Sequence, residues 1–131
     1  MVYKLQSALL LLAGIVIALG GLGHSFGGVA QVQAALAAGS VPPQIVSLIL
    51  VVWYFAGACM VVLGLLTLWQ WRQELKGRAG APHIPQVVGV FYLVYGLFAV
   101  AYTRGVFFSI FIVLGVMLLV AGFRRAPATA P

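Results

Sequence analysis

Apolar residues run without a charge from Leu5 to Gly23, Ile45 to Trp69, Val87 to Tyr102 and Val106 to Phe123. Each run is close to the roughly 20 residues a helix needs to cross about 30 Å of hydrocarbon. The third is the shortest, and Pro85 and Thr103 extend it at the interfaces. None alternates apolar with polar positions as barrel strands do, and a lipid-embedded backbone that is not a barrel must close its own hydrogen bonds as a helix. The pattern therefore predicts an all-α integral membrane fold, a transmembrane domain over 1–125 with spans at about 5–23, 45–69, 86–103 and 106–123. The tight Thr103-Arg104-Gly105 turn and the loop over 71–86 make successive spans antiparallel, which predicts an up-down four-helix bundle. Between the first two runs, Val29 to Ala38 (VAQVQAALAA) reads as a short helix bounded by Gly27-Gly28 and Gly39-Ser40. It is expected to lie on the outer surface or cap the bundle mouth. The Ala-Pro tail over 126–131 is expected to be disordered.

Glycine adds a second periodicity. Gly14 and Gly21, Gly57 and Gly64, Gly89 and Gly96, and Gly115 and Gly122 each stand seven residues apart, one pair per span. Seven residues return to nearly the same helix face, so each pair cuts a groove that a neighbouring backbone can approach. These eight glycines are the expected helix-packing positions.

Charge then sets orientation. Lys4 precedes the first span, Arg72, Lys76 and Arg78 lie between the second and third, and Arg124 and Arg125 follow the fourth. Only Arg104 belongs to the opposite side. The positive-inside rule places both termini and the 71–86 loop in the cytoplasm, in a bacterial plasma membrane. With Lys4 ahead of an apolar stretch, the first span has one feature of a signal peptide, but it is longer than the usual apolar core of about 7–15 residues and is expected to remain. A net charge of +6 dispersed at helix ends points to anionic lipid headgroups rather than to nucleic acid.

Composition removes several chemistries. Of 131 residues 64% are hydrophobic and 6% charged, and the single acid is Glu74, in the cytoplasmic loop. No carboxylate is left inside the membrane, so proton-coupled export, which needs an intramembrane ionisable group, loses its basis. A hydrolytic triad lacks its orienting acid. Cys59, the single cysteine, reads as a small packing residue. The chain is therefore expected not to be an enzyme, and to hold no metal.

Two ligand sites are conceivable from the residues. His24 stands among Gly20, Gly21, Gly23, Gly27 and Gly28, and small residues one turn from an imidazole leave room for haem or another tetrapyrrole; a helix end weakened by glycine is the plainer reading. His83 lies a bilayer thickness away and cannot be a second ligand. Tyr54 and Tyr95 each fall about ten residues into a span, beside Trp53 and Tyr92, where an aromatic intramembrane pocket would suit a quinone or isoprenoid. Packing of these rings is the alternative.

With Gly23-His24 closing the first span and Trp53 in the second, the chain resembles the small four-span bacterial membrane proteins that have no assigned activity. The resemblance covers the whole chain and implies fold and location. The functional expectation is a non-enzymatic accessory, assembly or interaction subunit that meets other membrane proteins, or itself, through glycine-lined helix faces. A carrier of a lipophilic molecule and a tetrapyrrole-bearing subunit are the alternatives.

Overall fold

A computed structural model describes residues 2–78, 81 and 83–123. Arg124, Arg125 and the 126–131 tail lie outside the described residues. All regular structure among those described is helical: α1 (Val2–Leu22), a π turn (Gly23–Gly27), α2 (Val29–Ala38), α3 (Pro43–Leu75), α4 (His83–Thr103), a 3-10 turn (Val106–Phe108) and α5 (Ser109–Gly122).

Three helical stretches are long and apolar enough to cross a membrane, Tyr3–Ala38, Pro43–Leu75 and His83–Thr103, while the apolar Val106–Gly122 is shorter. At 1.5 Å per residue, α3 measures roughly 50 Å, well beyond about 30 Å of hydrocarbon. It therefore runs past both ends of the apolar stretch read over 45–69. These apolar helices fit residence in a membrane.

The first helix differs from its expected form. The glycines after Leu19 read as a helix end, yet the backbone stays right-handed helical through Leu22 and Gly28, and α1 passes into α2 by way of the π turn. α2 occupies Val29–Ala38 and contains no buried residue.

The chain divides into two compact units, Ile15–Leu65 and Met1–Gly14 with Leu66–Pro131. In the first, α1 and α3 pack closely and antiparallel: a Cβ on Gly21 would lie 2.7 Å from the Gly57 carbonyl oxygen, and one on Gly64 would lie 2.5 Å from the Ala18 nitrogen. Ile17 is fully buried there. In the second unit, α4 and α5 are antiparallel partners, with Gly89 against Gly115, Gly96 against Ile112 and Gly122 against Gln86. Val88, Tyr92, Ala99, Leu114, Leu118 and Ala121 fill the space between these two helices and their surroundings. Gly14 meets the Leu68 side chain in the same unit. All eight glycines of the sevenfold pairs are buried, and none of the other described glycines is.

Polar side chains close the second unit at the backbone. Gln6 Nε2 donates to the Val120 carbonyl at 3.1 Å, and Gln86 Nε2 to the Gly122 carbonyl at 3.1 Å, so two carbonyls near the end of α5 gain partners. Gln70, only 1% exposed, accepts the Ala81 N–H at 2.7 Å and donates to Glu74 Oε1 at 3.1 Å. That one amide holds the end of the α3–α4 connection, just before α4, against the last turns of α3.

Candidate functional site

The π turn departs from ordinary helical winding. Its wider winding joins the Gly28 N–H to the Gly23 carbonyl at 3.0 Å, five residues back instead of four. Turns of this kind disturb the helical ladder, so a carbonyl within them needs a partner from elsewhere. His24 finds one on α3: Trp53 Nε1–H donates to the His24 carbonyl oxygen at 2.8 Å.

The same indole also covers the His24 side chain. The two rings stack with centroids 3.8 Å apart and planes 17° from parallel. Glycine makes the seat possible, because a Cβ on Gly28 would stand 2.7 Å from Trp53 Cζ2. Beneath the turn, Ser25 is buried and its Oγ fills the place where Gly57 would carry a Cβ. On the outer side nothing lies within 4 Å of a Cβ on Gly23 or Gly27, and Phe26 is exposed. The turn is thus tightly held on its α3 side and free on the other.

His24 Nε2 is enclosed and has no hydrogen-bond partner. Axial ligation of a tetrapyrrole needs a ring nitrogen with an open approach. Here Nε2 is enclosed and one ring face is taken by Trp53. Among the described residues no group of three or more His, Cys, Asp or Glu side chains is placed to hold a metal ion. Cys59 is half-buried in α3, and His83 is exposed at the start of α4.

The tyrosines are distributed differently from the residues around His24. Tyr54 belongs to the Ile15–Leu65 unit and is about half exposed, whereas Tyr92 and Tyr95 belong to the other unit. Tyr92 is 2% exposed and its hydroxyl has no partner; its ring lies against Phe91 and Phe111. Tyr95 is half exposed, parallel to Phe91 at 6.3 Å and edge-on to Phe111 at 5.3 Å. Beside it a furrow of about 450 Å³ is lined by Val90, Phe91, Val94, Tyr95 and Phe98. All five belong to α4, so the furrow is a groove along one helix rather than a chamber between helices.

Of the proposed ligand residues, then, His24 and Trp53 come together, as do Tyr92 and Tyr95 through Phe91 and Phe111. Sequence reasoning did not reach Ser25, the seating role of Gly28 or the anchoring role of Gln70. The glycine cluster around His24 was the available signal for the first two. Nothing nearby in sequence marks Trp53 as its partner, 29 residues away. Comparison with protein-family models, curated proteins and solved structures finds no match for this chain.

Proposed function

We propose that the chain is a multi-pass protein of the bacterial plasma membrane that acts without catalysis as an accessory or assembly subunit, with α3 as its partner-binding helix. The observation that carries this reading is the bareness of α3, whose most apolar window is only 6% buried within the chain. Leu48, Val51, Val52, Phe55, Val62 and Leu65 are all more than half exposed along it. The glycine grooves face inward and are filled by the chain's own neighbouring helices. A partner would accordingly meet large side chains on α3, not the glycine-lined faces expected from the sequence. Van der Waals packing of such a face against another helix is the main force for association in lipid.

In this reading α1, α3, α4 and the Val106–Gly122 stretch are the four spans, arranged up and down with both termini cytoplasmic. Lys4, Arg72, Lys76 and Arg78, all exposed, would then meet anionic headgroups at the inner surface. Reporter fusions test the topology: a cytoplasmic reporter at Arg78 should be active, and a periplasmic one there would reverse the orientation. A photocrosslinking residue at Phe55 or Val62 in native membranes tests the partner. A discrete protein adduct supports the accessory role, and adducts to lipid alone refute it.

A second reading is favoured by the α4 furrow, whose volume and apolar lining suit the tail of an isoprenoid or quinone beside Tyr95. Mass spectrometry of the extracted purified protein should then find an apolar compound that Tyr95→Ala depletes.

A further inference from the structure

From the geometry around His24 we infer that the π turn is a proton-operated hinge, in which protonation of His24 frees the imidazole from Trp53, lets the turn tighten to α-helical winding and re-aims α2. The inference goes beyond the accessory role and holds whether or not α3 has a partner.

From Leu5 to Trp71 the chain has no Asp, Glu, Lys or Arg. On α3 the titratable side chains over 43–71 are Tyr54, next to Trp53, and Cys59, with Arg72 and Glu74 in the last turn at the far end of that helix, while the rest of the π turn and α2 have none. No carboxylate in this unit can pair with an imidazolium. A neutral His24 tolerates its place because its flat ring gains the indole contact while one nitrogen goes without a partner, at a cost on the order of 1–3 kcal/mol. The protonated ring carries a charge and two N–H donors, and Nε2–H would find no acceptor in the enclosed position. The charged ring is better accommodated where Nε2–H reaches water or a headgroup, which it gains by leaving Trp53.

The fold lets that movement spread. The indole stack and the Trp53 hydrogen bond support a winding that helices adopt rarely. Without the ring against Trp53, conversion to ordinary helix removes one residue from the wide turn, rotating α2 by about 100° and shifting it by about 1.5 Å relative to α1. The open space at Gly23 and Gly27 allows the tightening. α2 has no buried residue, so it turns without breaking a core.

The test is a distance measurement by double electron–electron resonance on the full chain in lipid nanodiscs, with Cys59 replaced by Ser and nitroxides at Ala34 on α2 and Leu48 on α3. Between pH 8 and pH 5 the distance should shift by on the order of 5 Å, given the helix radius with side chains. His24→Phe, which keeps an aromatic ring but takes no proton, should hold the pH 8 distance throughout, and His24→Gln serves if the Phe variant does not fold. Trp53→Phe should already show part of the low-pH distance at pH 8. An unchanged distance from pH 8 to pH 5, or an equal shift in His24→Phe or His24→Gln, would overturn the hinge. So would a Trp53→Phe protein indistinguishable from the parent at pH 8.

Discussion

Gly21 and Gly57 face each other backbone to backbone: a Cβ on Gly21 would lie 2.7 Å from the Gly57 carbonyl oxygen, and one on Gly57 would lie 3.0 Å from that of Gly21. The contact is reciprocal, so neither residue can gain a methyl without moving the main chain of the other. Gly21→Ala should cost about 1–3 kcal/mol, since backbone cannot swing aside as a side-chain tip can. Once one methyl has parted α1 from α3, the second meets less resistance. The double variant Gly21→Ala with Gly57→Ala should therefore fall short of the sum of the single losses by at least about 0.5 kcal/mol. Gly23→Ala, with open space around it, should be neutral or stabilising. Denaturant titration in detergent micelles measures all four proteins, and strictly additive losses would show that the two glycines do not share a contact.

The indole of Trp53 should matter through its N–H as well as its ring. Trp53→Phe keeps an aromatic face for His24 but leaves the His24 carbonyl without its 2.8 Å donor, so stability should fall by about 1–2 kcal/mol. Gly28→Ala attacks the same seat from the other side, because its methyl meets Trp53 Cζ2. Thermal unfolding of the two variants should give similar losses, and an unchanged midpoint for Trp53→Phe would mean that water replaces the indole at no cost.

Helix positions were legible because lipid-facing and core-facing residues are alike apolar, so each run of uncharged residues becomes one helix. The sevenfold glycine spacing was legible for a related reason: two turns of helix bring such residues to one face, and each of those eight glycines lies buried against a neighbouring helix. The turn at Gly23–Gly27 was not. Glycine weakens an α-helix, but it also permits a wider winding, and what selects the second outcome is an indole 29 residues away. The Gln70 anchor was hidden likewise, since a glutamine near the end of a helix gives no sign that it will be 1% exposed and reach Ala81. Local propensity can be read along the chain; a single side chain meeting a distant backbone group cannot.

Gln70→Leu should loosen the α3–α4 connection, because it keeps the bulk but leaves the Ala81 N–H without an acceptor. A loss of about 1–3 kcal/mol is expected. Limited trypsin digestion reads the effect locally at the exposed Lys76 and Arg78. Cleavage there should quicken several-fold while the rest of the chain keeps its resistance, and equal rates in parent and variant would remove the anchoring role.

Arg104 has φ of 56°, a left-handed conformation that costs an ordinary residue about 1 kcal/mol. Beside it Thr103 Oγ1 accepts the Gly105 N–H at 3.0 Å and donates to the Ala99 carbonyl at 2.7 Å, which holds the turn from one side. Arg104→Gly or Arg104→Asn should raise the thermal midpoint or leave it unchanged. Arg104→Val should lower it, because a β-branched side chain fits this conformation poorly. A Val variant as stable as the parent would show that the turn relaxes freely.

The stacked pair at the π turn also makes the protein its own optical gauge. An indole whose excited state lies against an imidazole at 3.8 Å emits according to whether that neighbour is present. With Trp69 and Trp71 replaced by Phe, the remaining emission comes from Trp53 alone. Its brightness and colour then follow the state of the turn in an intact membrane, with no dye attached.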